Sequence, residues 1–437
     1  MNNKFFLFIP PLLLAFLSLS LTAQPTTHFY RAWTSHSSHL PQDFTNHVVS
    51  IVSGTDTYIA TSVSGATAGY DLQLSKYNTR GVQLWSTSFT PYSGGDVYAG
   101  AIALDPSGNV LITGSAYNGS TNGYDLYTVK FNASGTKLWH QTYNGSGNSY
   151  DGGTAVICSS SGSVYVTGGT SASATNIDVL TICYNSSGTA QWTQTYNNAS
   201  YYDFAGGIGL VTSLGGASVR ITGFTQTNAT TWEYLTLSYL ASTGGSGTSS
   251  HTSIGGTIID RINATAFDAS GNVYITGAIG NGSNGLDIKT VKLDASLNIL
   301  WTATYDGSAH KEDVGRGIAL DGSGNVYVAG YSSNASDKDA ILVKYSSAGS
   351  QAWTAAYAGT EGDDAFADLS VTSDTKIFVG GYTTQKGNRD FYTVLYSSGG
   401  TKTWSDSQNG IANRDDEIQQ VVPDGLGNFI VPKQLSS

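Results

Sequence analysis

Short runs of alternating apolar and polar residues recur along most of the chain, each closed by a cluster of Gly, Ser, Asn or Asp. In one stretch Gly317-Ile318-Ala319-Leu320 precedes the turn Asp321-Gly322-Ser323-Gly324-Asn325, and Val326-Tyr327-Val328-Ala329-Gly330 follows it. A polar loop leads to Asp339-Ala340-Ile341-Leu342-Val343-Lys344-Tyr345, and a Ser/Gly turn at 346–350 leads to a run near Trp353. Period-two alternation bounded by such turns predicts four short strands. Trp139 and Tyr143, Trp192 and Tyr196, Trp301 and Tyr305, and Trp353 and Tyr357 stand four apart, which puts both rings on one face of a strand. A helix would also bring such pairs together. Turns every roughly 8–12 residues and the lack of helix caps decide for strand.

The four-strand pattern repeats. Trp33, Trp85, Trp139, Trp192, Trp301, Trp353 and Trp404 are 52, 54, 53, 109, 52 and 51 residues apart, the 109 being two periods with the missing position near Gly247. A glycine closing the second run recurs at Gly114, Gly168, Gly223, Gly277, Gly330 and Gly380, and an acid opening the third at Asp71, Asp125, Asp178, Glu233, Asp287, Asp339 and Asp390. Three markers in phase define a unit of about 53 residues. Four strands in such a unit match a propeller blade. One blade cannot bury both its faces, so the units must pack on one another, and ring closure leaves the fewest open edges. Small residues at the start of the innermost strand, such as Ala99-Gly100-Ala101, Gly152-Gly153, Gly206-Gly207 and Gly315-Arg316-Gly317, suit backbones that converge on an axis.

Residues 1–23 change the compartment. Lys4 followed by an apolar run to Leu21 and a small-residue site at Ala23 reads as a cleaved signal peptide, leaving 24–437 as one exported propeller domain with no later membrane span. The expected location is secreted or at the cell surface, with the periplasm as the other exported compartment. The chain stops at Ser437 without the C-terminal sorting domain that exported repeat proteins often carry, which admits that it is a fragment. Only 12% of residues are charged and the formal net charge is −11. That balance argues against nucleic acid, which needs a concentrated Lys/Arg surface.

Asp105-Pro106-Ser107-Gly108-Asn109-Val110-Leu111-Ile112-Thr113-Gly114, followed by Asp125 to Lys130 and by Leu138-Trp139, resembles the bacterial β-propeller repeat proteins (SBBP), whose name refers to a seven-bladed propeller. The resemblance spans roughly 28–432 and speaks for fold, since propellers carry many functions. Counting strands favours eight blades over seven. Residues 28–35 would supply the outer strand of a blade begun by 420–432, so that the N- and C-terminal segments pair and close the ring. The unit at about 208–260 is irregular, with Gly247 where a Trp is due, and its outer strand is expected to be weakly held.

Candidate chemistry collects on one face. An acid precedes each innermost strand: Asp43, Asp96, Asp151, Asp203, Asp260, Asp313, Asp364 and Asp416. The loops that carry them run from an outer strand to the next inner strand, near the channel mouth. Such a rim could hold Ca²⁺ or a cationic ligand. The architectural reading is that each Asp accepts the N–H groups of its own turn. The Asp-x-Ser-Gly-Asn turns at Asp105, Asp268 and Asp321 lack EF-hand spacing and read as hairpin turns. The seven histidines, His28, His36, His39, His47, His140, His251 and His310, form no metal signature. No nucleophile elbow or phosphate loop occurs. Cys158 and Cys183 fall on strands separated by a third, too distant for a disulfide, so both are expected as buried free thiols. Tyr117, Tyr124, Tyr150, Tyr201 and Tyr202 are expected to be exposed in loops of the same face, where rings stack on sugars or peptides. The expectation is a monomeric, non-catalytic exported propeller without a required cofactor, binding a glycan, peptide or cell-surface partner. The competing class is a hydrolase or lyase with an acidic site at the channel mouth.

Overall fold

Each four-strand run of the sequence folds into its own antiparallel meander. The computed structural model describes residues 48–64, 69–78, 82–173, 176–198, 202–213, 216–228, 232–252, 261–280, 285–409, 415–418, 420–423 and 429–430. Among these there are seven four-stranded sheets, at 48–89, 97–143, 151–196, 203–252, 261–305, 313–357 and 365–408, then a two-stranded hairpin, Val422–Pro423 with Phe429–Ile430. No helix long and apolar enough to cross a membrane occurs among the described residues. Residues 1–23 and Trp33 lie outside them.

In every sheet the chain moves outward one strand at a time. The first strand of each sheet packs against the first strand of the next. Inner strands such as Val273–Gly280 are buried throughout, whereas the fourth strand Gln351–Tyr357 is buried only in part and on alternate residues. Trp353 and Tyr357 lie on that inward face.

The recurring glycine of the second strand has a steric cause. A bulge in the first strand aims a carbonyl at it, with register shifts at Ala99/Ala101, Ala205/Gly207 and Gly315/Gly317. An added Cβ would lie 1.9 Å from Tyr98 O at Gly114, 1.8 Å from Phe204 O at Gly223 and 1.9 Å from Val314 O at Gly330. In the first sheet Thr61 stands at this position, and it pairs with Val48 without a bulge. In the seventh sheet the position belongs to Gly381, 1.9 Å from Ala365 O, and not to Gly380, which faces Ile418 and Val421. The sequence marker there is one residue early, because two glycines adjoin and only the bulge tells them apart.

The tryptophan marker is the seam between sheets. Trp139, Trp192, Trp301 and Trp353 each donate the indole N–H to a turn carbonyl of the next sheet, at Ser186 (3.1 Å), Ala241 (3.1 Å), Ser347 (3.1 Å) and Ser398 (3.2 Å). The ring lies on a glycine of that turn, Gly188, Gly244, Gly349 or Gly400, where a Cβ would come within 2.6–2.9 Å of it. These glycines have positive φ, which other residues adopt reluctantly.

The outer strand of the fourth sheet has no tryptophan to give the fifth, and its seam is rebuilt. The fifth sheet carries Leu297 at the glycine position, at φ 68° and buried against Tyr234, Val273, Val291 and Leu293. Arg220 of the fourth sheet donates its guanidinium to Ala295 O, the carbonyl equivalent to that of Ser186. The irregular unit is therefore docked through a different pair of side chains. Its outer strand still forms, as Ser246–Thr252. At the end of the series Trp404 is 49% exposed.

Residues 420–423 contact both the seventh sheet and the first. Val421 N donates to Asp368 Oδ2 (3.0 Å), and Gln420 Oε1 accepts from Ser50 N (2.9 Å) and Ser50 Oγ (3.0 Å). Arg316 and Glu417 form an ion pair of 2.6 Å.

Candidate functional site

In an antiparallel meander the loops from second to third strand and from one sheet to the next emerge at the same end. The acids before the first strands therefore share a face with those that open the third strands. Asp43, Asp260 and Tyr201 lie outside the described residues. The others hold loop backbone. Asp151 Oδ2 accepts from Gly145 N (2.7 Å), Asp313 Oδ2 from Gly307 N (2.6 Å) and Asp203 Oδ2 from Asn198 N (2.8 Å). Asp364 accepts from Gly359 N (2.5 Å) and Thr384 N (3.1 Å), and Asp96 from Tyr70 N (3.0 Å) of the preceding sheet. Asp416 N donates to Arg389 O (2.7 Å). These acids stay apart as a ring. Three of them are brought instead toward the third-strand acid of the preceding unit, Asp151 toward Asp125, Asp364 toward Asp339 and Asp416 toward Asp390. At one junction Asp287, Asp306 and Asp313 form a threesome.

Burial pushes the carboxyls of Asp151, Asp313 and Asp364 above the usual carboxylate range; nearby acids add to it, and the loop N–H groups oppose it. The fold thus favours the protonated form of Asp364. Its contribution to stability is complete below the ordinary value of about 3.9 and is lost as the pH rises through the raised value. Asp364→Asn removes this titration. The variant is expected to gain stability relative to the parent between about pH 4 and about pH 8. Urea midpoints at the two pH values measure it, and a difference that does not change with pH refutes the assignment.

Two groups of rings stand on the same face. Tyr98 lies 6.2 Å from Tyr70 and 6.0 Å from Tyr124 between ring centres, and Tyr117 lies 5.2 Å from Tyr124. Tyr150 forms a parallel bridge with Tyr124. In the fourth sheet Tyr202 stacks on Phe204 (6.1 Å, 12°), and Phe224 lies 4.8 Å from Phe204 and 5.3 Å from Trp232. Tyr202 is exposed and the other three rings are half-buried; Tyr117, Tyr124 and Tyr150, expected to be exposed, are half-buried as well, because Tyr117 and Tyr124 end and begin strands and pack on neighbouring rings. The sequence pointed to Tyr117, Tyr124, Tyr150 and Tyr202 but not to Tyr70, Tyr98, Phe204, Phe224 or Trp232. Trp232 was legible, since it is the one tryptophan of eight that is out of phase with the repeat.

A polar cleft of about 530 Å³ opens between the sixth and seventh sheets, lined by Asp337, Asp363, Thr384, Arg389 and Asp415 among others. Asp363 and Asp415 accept from Lys338 N (3.1 Å) and Arg389 N (3.0 Å). The Arg389 guanidinium lies 4.3 Å from the Tyr382 ring centre. At the opposite end Asp105, Asp268 and Asp321 accept the N–H groups of their own turns. Cys158 and Cys183 are buried and unbridged, and burial pushes their thiols up to about 12 and about 11.

No curated protein matches the chain. Among solved structures, a puromycin hydrolase S511A mutant complexed with PGG is similar at TM-score 0.48 and 12% identity, over 88% of this chain and 57% of that one. The chain thus spans little more than half of that protein's length. The β-propeller domain of the Trilobed protease from Pyrococcus furiosus is similar at TM-score 0.41 and 8% identity, over 83% of this chain and 97% of that one. A PL25 ulvan lyase is similar at TM-score 0.47 and 14% identity, over 80% and 91%. Residues 303–336 match the family model SBBP, beta-propeller repeat. That segment runs from the outer strand of the fifth sheet through Asp306 and Asp313 to Ser336, so the junction between the fifth and sixth sheets matches an SBBP beta-propeller repeat.

Proposed function

We propose that the protein is an exported, non-catalytic β-propeller that binds a glycan through its loop face. The observation that carries this reading is the pair of aromatic groups around Tyr98 and Tyr202 on that face. The exposed Tyr202 and the half-buried rings beside it offer faces for stacking on sugar rings, and the Tyr hydroxyl and Trp N–H groups offer hydrogen bonds to sugar hydroxyls. Residues 1–23 act as the export signal, and 24–437 form a single monomeric domain. The contacts of Gln420 with Ser50 and of Val421 with Asp368 support an eight-bladed ring, its last blade begun by the C-terminal hairpin and completed by the N-terminal segment.

A glycan array with the full chain tests the function. Binding is expected, and both Tyr202→Ala and Trp232→Ala are expected to weaken it at least about tenfold, or about 1.4 kcal/mol. Binding unaffected by both substitutions would refute the aromatic site. A polysaccharide-degradation screen run alongside tests the hydrolase or lyase alternative. Turnover abolished by Asp364→Asn would replace the binding reading with that one.

A further inference from the structure

The tetrapeptide Tyr-Asn-Gly-Ser occurs twice, at 117–120 and at 143–146, and the fold treats the two copies differently. An Asn–Gly peptide is prone to cyclise, because glycine has no Cβ to keep its nitrogen away from the amide carbon of the preceding side chain. In the second copy that nitrogen is occupied, since Gly145 is buried and donates to Asp151 Oδ2 at 2.7 Å. In the first copy Gly119 is half-buried at φ 90°, and its N–H has no hydrogen-bond partner among the described residues. The two side-chain amides are matched, each donating once: Asn118 Nδ2 to Asp125 Oδ2 (2.8 Å) and Asn144 Nδ2 to Asn148 Oδ1 (2.9 Å). What differs is the glycine nitrogen. A third dipeptide, Asn122–Gly123, has that nitrogen engaged as well, with Gly119 O at 2.9 Å. The Asn118 amide also serves the sheet. Asp125 is only 1% exposed, and Asn118 and the Tyr92 hydroxyl both donate to its Oδ2. Other third-strand acids take an amide in the same way, Asp178 from Asn197 and Asp339 from Asn334, each at 3.0 Å.

We propose that Asn118 is a self-modifying site, which deamidates through a succinimide formed with Gly119 and so loosens the loop between Tyr117 and Tyr124. The Gly119 N–H gives its proton to hydroxide, and the nitrogen bonds to Asn118 Cγ. The Cγ–Nδ2 bond breaks, and Nδ2 leaves as ammonia with a proton from water, which restores the hydroxide. A second water opens the ring, at Cγ to give Asp or at the main-chain carbonyl carbon to give isoaspartate. Nothing is oxidised or reduced, and water is the only co-reactant. At Gly145 the same attack must first break a buried hydrogen bond to a carboxylate. Either product at 118 replaces a donor to Asp125 with a second negative charge, and like charges in a buried place repel. The disturbance falls beside the ring group around Tyr98, because Tyr117 and Tyr124 flank this loop. The site does not depend on the glycan reading.

The test is incubation of the folded full chain at mildly alkaline pH, with peptide mapping by mass spectrometry to follow deamidation at each asparagine. Asn118 is expected to convert at least about tenfold faster than Asn144 and Asn122, the order of rate that one broken hydrogen bond is worth. In urea Asn118 and Asn144 are expected to convert at similar rates, because their tetrapeptides are identical. Equal rates at the two in the folded chain overturn the proposal, and so does a difference between them that persists in urea. Asn118→Asp installs one product directly and is expected to melt lower than the parent, whereas Asn122→Asp is expected to melt as the parent does. Equal melting of these two variants overturns the loosening. The conversion rates are read on the parent chain, so they decide the chemistry even if a variant fails to fold.

Discussion

Lys130→Ala is expected to cost about 3–5 kcal/mol, the range for removing one partner of a buried ion pair. Lys130 Nζ lies 2.7 Å from Asp105 Oδ2, and both side chains are only 5% exposed. Burial pushes the Asp105 carboxyl up, but its hydrogen bonds to Lys130 and Asn109 outweigh that and hold it below the usual range. Without Lys130 the carboxylate keeps its turn contacts but loses its counter-charge. Lys130 also donates to Ser186 O of the next sheet (3.3 Å), so the same substitution loosens a seam. Lys344→Ala is the matched control. Its aspartate, Asp321, is bonded by the Tyr327 hydroxyl (3.0 Å), while Lys344 lies over the Tyr327 ring at 5.0 Å. That loss is expected to stay near or below about 1 kcal/mol. Asp105 contributes stability above the ordinary carboxylate value of about 3.9 and loses it as the pH falls through its lowered value. The acid-side loss should accordingly shrink in Lys130→Ala. Urea unfolding of both variants at neutral and acid pH measures this, and equal losses for the two lysines would sink the account.

Gly330→Ala is expected to reach the upper end of the roughly 1–3 kcal/mol typical of overpacking, or to exceed it. The added carbon would stand 1.9 Å from Val314 O and 3.1 Å from Gly315 Cα, and both obstacles are backbone. Neither can swing aside as a side chain does. Relief requires undoing the bulge between Gly315 and Gly317, which sets how the sixth sheet meets the fifth and the seventh. Gly322→Ala is the control, since nothing lies within 4 Å of its new carbon and its φ is not positive. Its change is expected within about 0.5 kcal/mol. Comparable losses for the two would show that the bulge does not dictate the glycine.

Much of the fold could be read from residue spacing because its markers are mechanical. Trp139 and Trp353 recur because each closes a seam, and Gly114 and Gly330 recur because a carbonyl faces them. The unit read at Gly317–Tyr345 appears as Asp313–Leu320, Val326–Ser333 and Lys338–Tyr345. What escaped depends on contacts between units. Gly247 stood out as a missing tryptophan, but its compensation sits in Arg220 and Leu297, on either side of it and in different sheets. Asp306 is one acid among 31 until Leu286–Leu293 brings Asp287 beside it. The loop-face tyrosines were visible one by one, whereas their grouping with Tyr70, Tyr98 and Phe204 required the register of neighbouring strands.

The seam built by Arg220 and Leu297 makes the order of the units non-arbitrary. Every tryptophan seam uses the same pair of parts, so during folding a hairpin could in principle lodge beside the wrong neighbour and still satisfy an indole. Between the fourth and fifth sheets such an exchange fails. A glycine hairpin from elsewhere would leave a void beside Tyr234, where Leu297 packs, and Leu297 presented to an indole would collide with it. One odd joint thus serves as a key that fixes the sequence of otherwise interchangeable pieces, and a chain of look-alike segments acquires a unique assembly.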